Sequence, residues 1–452
     1  MKGAVAYGTR GEETGLVDPR TGVVTELRAG TLPPHLPEPL RLWLARPADT
    51  RCFTPWPGEP VTSGCAWWDD GQAQAAALGE AVERYCAALI PPGLPRATPD
   101  EMRRRGKDVI ELADLALFSA AQYRTSGFPF VAFGPDLPMR WVPGRDLLTG
   151  AIRAVPIGLV FTTVHRGLAD GGPYGDEPRT NPVPYAGLAA GRSHEQAELA
   201  ALLELIERDA VTRSWLRGEP WPEIAVDPPL ADLLRGPRGV LRVRLFLVPG
   251  AVDVPVITAL IDDTSTGLLA LGSAARIDPL RAALKAVAEA AQLHLMLHEL
   301  DDPASAVMRL SADPGCPLRP WRADRRYRDS YRPDWRDVRD LACQLQLYLD
   351  PTMREPLLER LAVAQPVRLS SIPASTHRSA TDLAHALHGI GIGTVSVDLT
   401  TDDVQVCGWR AVRVIAPGLY PNTPAAFPPL GGWRLGDSRR PVTEYPLPMP
   451  YA

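Results

Sequence analysis

Apolar residues recur at helical spacing from Gln72 to Leu89, with Ala and Leu prominent, until Pro91-Pro92 stops the run; a helix is predicted there. A second helix is predicted after Ser193, an N-cap residue with Glu195 and Gln196 behind it. A third opens at Asp278-Pro279 and reaches Leu300, a shorter one covers Asp382 to His388, and Leu112 to Leu117 is read as part of another. Apolar runs bounded by turn residues predict strands at Ala154 to Thr163, Val240 to Val248, Val256 to Asp262, Gly393 to Leu399 and Ala411 to Ile415. Residues 13–27 read as a β-hairpin around a turn rich in Asp, Pro and Gly, followed by a Pro-rich linker to about residue 60. This order of elements predicts an α+β (mixed α/β) fold with several strands per sheet. Two parts are expected: a hairpin and linker at 1–60, and a main domain at 61–452.

Two of the predicted helices repeat one pattern, Glu80-Ala-Val-Glu83-Arg84 and Glu204-Leu-Ile-Glu207-Arg208. Glutamates three residues apart share a helix face, with Cβ atoms about 5–6 Å apart. A single such pair is commonly a solvated face, salt-bridged to its neighbouring arginine. Here both pairs sit among almost unbroken Ala, Leu, Ile and Val, which predicts burial, and a buried carboxylate needs a partner. Mg²⁺ is hard, takes oxygen ligands and bridges carboxylates to phosphates. The adjacent arginines suit phosphate oxygens.

Composition narrows the alternatives. With 45% apolar residues, 452 residues supply an ample core. The first residues lack a signal pattern and no apolar stretch approaches the roughly 18 residues of a membrane span, so a cytoplasmic location is expected. The formal net charge of −5, with both signs interspersed, gives no reason to expect nucleic-acid or membrane binding. Six scattered cysteines form no Cys-x-x-Cys and read as reduced structural thiols. Only three of the 48 basic residues are lysines (Lys2, Lys107, Lys285), a skew assigned to codon usage.

Common catalytic motifs are missing. Gly106-Lys107 is followed by Asp108 rather than Ser or Thr, and Gly389-Ile-Gly391-Ile-Gly393 precedes a strand, so it reads as a helix C-cap and turn. His294 and His298 are four apart, but Glu299 lies outside them, so they read as core or surface histidines. Ser63-Gly64-Cys65 has no assignable base partner.

From about Ser63 onward the chain resembles the YcaO family. The resemblance is carried, in order, by Ser63-Gly64-Cys65, Ala77-Leu78-Gly79-Glu80-Ala81-Val82-Glu83-Arg84, Gly187-Leu188-Ala189-Ala190-Gly191, Glu204-Leu-Ile-Glu207-Arg208-Asp209 and the helix ending Glu-Ala-Ala-Gln292. Asp398-Leu399-Thr400-Thr401 and Val412-Arg413-Val414-Ile415-Ala416-Pro417-Gly418-Leu419 complete it. The resemblance implies a YcaO-like fold with ATP and Mg²⁺ as cofactors and Glu80, Glu83, Glu204 and Glu207 as metal ligands. It implies that Arg208 contacts the phosphates, that Arg84 supports them, and that Gln196, Gln292 and Arg413 belong to the nucleotide site.

The reaction it implies is ATP-dependent activation of a backbone amide in a ribosomally made precursor peptide. Cys, Ser or Thr side chains are cyclodehydrated to thiazoline or oxazoline. The Pro-rich tail, Pro446-Leu447-Pro448-Met449-Pro450, resembles that of cyclodehydratase members, whose C-terminal carboxylate, here on Ala452, would accept a proton. A separate leader-peptide-binding partner is expected, because residues 1–60 are short for such a domain, and a homodimer is a family-level expectation. Ala76, Ala186 and Gln196 depart from frequent family residues. The alternatives are a thioamide- or macroamidine-forming enzyme and a degenerate scaffold that binds a peptide or partner without turnover.

Overall fold

A computed structural model describes residues 15–54, 59–164, 174–313, 315–361, 365–435 and 446–451. At the N-terminal end β1 (Val24–Ala29) pairs antiparallel with β2 (Leu40–Pro47), and β3 (Thr62–Trp67) completes the sheet in the order β1-β2-β3. This pairing replaces the hairpin expected within residues 13–27, of which residues 13 and 14 lie outside the described residues. The turn itself is present, since Asp18 Oδ1 accepts from the main-chain N–H of Arg20 and Thr21, both at 2.8 Å. The segment read as linker nevertheless contains Leu40-Arg-Leu-Trp-Leu-Ala45, whose alternation offers β1 a longer ladder than the few residues before the turn.

The helix α1 (Asp70–Ala88) starts where expected, with the Asp69 carboxylate accepting from Gln72 N at 3.0 Å. It lies directly on β3. A Cβ on Gly64 would come within 2.2 Å of Ala73 O and 2.3 Å of Ala77 N, so only glycine permits that approach. Next come β4 (Arg96–Ala97), β5 (Met139–Asp146), β6 (Ile152–Pro156) and β7 (Leu188–Gly191). The strand predicted to continue to Thr163 stops at Pro156, which has no N–H for the ladder, and the chain curls into a 3-10 turn at Ile157–Leu159. The region from Leu112 likewise forms one 3-10 turn, Leu112–Asp114, instead of a helix.

The long α2 (His194–Leu216) is followed by β8 (Ile224–Ala225), β9 (Leu241–Val248), β10 (Val256–Asp263) and β11 (Leu269–Ala275). Then α3 (Pro279–Asp301) opens on an Asp278 N-cap with Pro279 in its first turn, as predicted. The last named elements are β12 (Val367–Arg368), α4 (Ala380–His388), β13 (Val395–Asp398) and β14 (Arg410–Ile415).

The chain forms two compact units that divide inside α2, between Leu205 and Ile206. The first unit draws on Met1–Thr31, Arg41–Leu205 and Arg378–Leu419. Besides β1 to β3 it holds an antiparallel sheet in the order β4-β5-β13-β14-β7, with β6 added on β5. Its core includes Leu78, Val82, Val155, Val397, Trp409 and Ala411.

The second unit draws on Leu32–Leu40, Ile206–His377 and Tyr420–Ala452. It holds the antiparallel sheet β11-β10-β9 with α3 packed against it, and a parallel β8–β12 pair. Helices and antiparallel sheets without a barrel match the α+β expectation. Among the described residues no helix is long and apolar enough to cross a membrane, and the five cysteines described are all free.

Asp209, which closes the second Glu-x-x-Glu motif, is 1% exposed and structural. Its carboxylate receives both Nη1 (2.5 Å) and Nη2 (2.9 Å) of Arg434 and the N–H of Tyr420 (3.0 Å). Removing one partner of such a pair leaves the other charge buried and uncompensated. Asp209→Ala is therefore expected to destabilise the second unit by about 3–5 kcal/mol. Equilibrium urea unfolding checks this, and an unchanged midpoint would contradict the assignment.

Candidate nucleotide and metal site

Three glutamates of the first unit are each fixed by a main-chain donor. Glu80 Oε2 accepts from Ser63 N of β3 at 3.0 Å, Glu83 Oε1 from Ala190 N of β7 at 2.9 Å, and Glu204 Oε2 from Gly187 N at 3.2 Å. Both β3 and β7 end their sheets, so Ser63 and Ala190 can turn their N–H groups toward a side chain instead of another strand. Gly187 has a φ of +81°, and a Cβ there would lie 2.4 Å from Val414 O, which explains glycine at the turn facing Glu204.

These carboxylates act on one another. Burial, with Glu204 and Glu80 nearby, pushes the Glu83 carboxyl up to about 8 against the pull of Arg84. Arg84 Nη2 stands 3.4 Å from Glu80 Oε1, and its guanidinium lies 4.9 Å from the centre of the Tyr185 ring. Arg413 is 1% exposed and donates to main-chain carbonyls: Nε to Val160, Nη1 to Tyr185 and Ala186 (2.9 and 2.7 Å), and Nη2 to Pro184. Burial and the neighbouring Arg84 lower its guanidinium to about 9. Arg413 thus holds the loop that leads into Gly187, a positioning task the sequence did not reveal.

In the second unit Glu207 is 6% exposed. Its Oε2 accepts from Ala275 N at 3.2 Å and its Oε1 from the Tyr451 hydroxyl at 2.5 Å. The Arg208 guanidinium lies 4.5 Å from the centre of the Tyr451 ring, with Nη1 3.5 Å from Glu207 Oε1. Residues before Tyr451 are held by their carbonyls. Trp215 Nε1 donates to Leu447 O (2.7 Å), the Tyr348 hydroxyl to Pro448 O (2.5 Å), and Gln344 Nε2 to Met449 O and Tyr451 O (3.1 and 3.2 Å). The Pro-rich tail is therefore a docked segment ending one residue before Ala452, which lies outside the described residues.

Glu80, Glu83, Arg84, Glu204 and Arg413 are thus grouped in the first unit, and Glu207 and Arg208 in the second. Gln196 serves the start of α2: its Oε1 accepts from Arg192 N at 2.7 Å, while its N–H donates to Ser193 Oγ at 3.2 Å. Gln292 lies on α3, one turn beyond Glu289. Burial alone would raise the Glu289 carboxyl, but Lys285, Arg208 and Arg276 outweigh it and hold it below its ordinary value. This cationic surround of Glu289 was missed in the sequence. Lys285 and Glu289, an i,i+4 pair containing one of only three lysines, were the available signal. Glu198, 6% exposed and 2.6 Å from Arg145 Nη2, had no comparable signal.

A sequence model for the YcaO family, described as YcaO cyclodehydratase, ATP- and Mg²⁺-binding, matches residues 68–420. An uncharacterized protein in the tfuA 3′ region of Rhizobium leguminosarum bv. trifolii is 30% identical over 243 residues, or 50% of this chain and 53% of that protein. The match thus spans about half the length of that relative. Among solved structures, a heterocyclase in complex with substrate and cofactor superposes with a TM-score of 0.65 at 22% identity, covering 97% of this chain and 57% of that one. YcaO from Methanopyrus kandleri, bound with AMPPCP and Mg²⁺, gives 0.57 at 21% identity over 90% and 88%. The E. coli microcin synthetase McbBCD complex gives 0.53 at 13% identity over 86% and 87%. At these identities the structural likeness is one of fold. The family match covers most of the chain and includes the first Glu-x-x-Glu and the second, so the chain belongs to the YcaO family, whose cofactors are ATP and Mg²⁺.

Proposed function

We propose that the chain uses ATP to activate backbone amides of a ribosomally made precursor peptide, cyclodehydrating Cys, Ser or Thr to thiazoline or oxazoline. The observation that carries this reading is the set of anchored glutamates. Glu80, Glu83, Glu204 and Glu207 would hold Mg²⁺ with hard oxygen donors already oriented by main-chain N–H groups. Crowding of Glu83 by Glu204 and Glu80 favours a cation, which would relieve their mutual repulsion.

ATP bound with Mg²⁺ would give its γ-phosphoryl group to the amide oxygen, releasing ADP and making that oxygen a leaving group. Arg208 would contact the phosphates with Arg84 in support, Gln292 and Gln196 would belong to the nucleotide site, and Arg413 would fix the loop before Gly187. The substrate side chain adds to the amide carbon, the phosphorylated oxygen leaves as phosphate, and two protons must be taken up. The Ala452 carboxylate is the proposed proton acceptor. A separate partner that binds the leader of the peptide is part of the proposal, as is assembly into a homodimer.

Three outcomes are expected. Substitutions around a bound metal commonly cost about 10–100-fold in affinity. Glu204→Gln and Glu207→Gln should therefore each weaken Mg²⁺-dependent ATP binding at least tenfold by calorimetry, whereas unchanged binding would refute the ligand set. With the modified peptide in hand, the loss of one water's mass per ring marks azoline formation, and replacement of oxygen by sulfur would contradict it.

The third outcome concerns pH. Without metal, the folded chain keeps a proton on Glu83 that the unfolded chain releases near 4.5, so the stability linked to this group is full below that value and declines as pH rises through about 8. Glu83→Gln should flatten the decline of melting temperature between pH 5 and 9 seen in metal-free native protein, measured at about unit pH intervals. An identical decline in both proteins would contradict the assignment.

A further inference from the structure

Three histidines and one aspartate meet in the second unit, away from the glutamates of the proposed nucleotide site in sequence and in role. His35 comes from the Pro-rich segment between β1 and β2, Asp263 ends β10, and His294 and His298 occupy successive turns of one face of α3. One donor atom from each residue lies within 4.8 Å of every other. His35 Nε2 and His294 Nε2 are each 3.2 Å from Asp263 Oδ2. The ring centres of His294 and His298 are 4.6 Å apart, and that of His35 is 5.5 Å from His294 and 6.4 Å from His298. The side chains of Asp263 and His294 are fully buried, and that of His35 is 12% exposed.

Packing three imidazoles around one carboxylate is poor design for a plain core. Protonating them together would place several positive charges in a buried space beside a single negative one. Left neutral, an imidazole needs a donor for its bare nitrogen, yet His298 Nε2 is buried without a hydrogen-bond partner, and His35 Nε2 stands 3.2 Å from Asp263 Oδ2 without making a hydrogen bond. Asp263 is meanwhile already oriented from outside: its Oδ1 accepts from Ser265 N (2.9 Å) and Oγ (2.6 Å), and its Oδ2 from Thr266 Oγ1 (2.8 Å). That is the outer-sphere support that metal-binding carboxylates receive.

We propose that His35, Asp263, His294 and His298 bind one Zn²⁺. Tetrahedral zinc, with bonds of about 2.0–2.2 Å, sets its donor atoms about 3.3 Å apart, which two of the measured separations already match. The other separations, all within 4.8 Å, must close toward that value when the ion binds. Three imidazoles and one carboxylate suit zinc rather than Mg²⁺, which prefers oxygen donors and octahedral geometry. All four positions are filled by protein, so the ion has a structural task. It ties the segment carrying His35 to β10 and to α3, the helix that bears Lys285, Glu289 and Gln292.

The test uses the full chain, prepared untagged and without a metal column. Elemental analysis after dialysis with a weak chelator should find about one zinc per chain, and Co²⁺ exchanged into the native protein should give the visible absorption of a tetrahedral site. His298→Gln and His35→Gln should each lose most of the zinc, and stripping the native chain with a strong chelator should lower its melting temperature until Zn²⁺ is restored. Zinc below about one tenth of an equivalent after incubation with Zn²⁺, or zinc retained undiminished in both variants, would overturn the proposal. The cobalt spectrum of native protein decides the matter even where a variant fails to fold.

Discussion

The first unit depends on what its edge strands do with main-chain N–H groups that no further strand takes. β3 directs one at Glu80 through Ser63, and β7 directs one at Glu83 through Ala190. An exposed strand edge invites pairing with another chain, and a carboxylate withdrawn from part of its water is unfavourable without donors. Each difficulty answers the other. The close seating of α1 on β3, possible only because residue 64 is glycine, sets the distance at which this exchange works. Oriented carboxylates on a packed helix are what a hard divalent ion requires, since little reorganisation is left to do when it binds.

The second unit uses the same device with a different supplier. Ala275 at the end of β11 anchors Glu207, and the Tyr451 hydroxyl reaches its other oxygen. Tyr451 can do so because Trp215, Tyr348 and Gln344 hold the preceding tail by its carbonyls. Proline suits that tail, as it stiffens the backbone and gives up no carbonyl acceptor. A stack with Arg208 on the same ring makes the last described residue a structural neighbour of the second motif.

Local pattern revealed the long helices because their caps and periodicity lie within a few residues of one another: Ser193 and Asp278 act at the starts predicted for them, and Asp69 caps α1 close to its predicted start at Gln72. The repeated Glu-x-x-Glu was legible for the same reason. Most failures came where a partner is distant. Residues 13–27 looked like a hairpin until Leu40–Pro47 supplied a better strand, and Pro156 ended a strand that apolarity alone would have continued. His35 joins His294 across more than two hundred residues, and Asp209 meets Arg434 across a similar span. Neither pairing leaves a spacing for the eye to find. Arg413 was linked to the nucleotide site through its motif, yet its hydrogen bonds to carbonyls follow from a loop path that no periodicity encodes.

Whether the paired glutamates hold metal for ATP is decided by a crystal structure of the chain with Mn²⁺ and a non-hydrolysable ATP analogue, with the metal located by anomalous scattering. Mn²⁺ should be bounded by oxygens of Glu80, Glu83, Glu204 and Glu207 and by the phosphates, with Arg208 against the phosphate chain. Nucleotide bound with these four carboxylates still engaged only by their protein donors, and the metal held elsewhere, would contradict it.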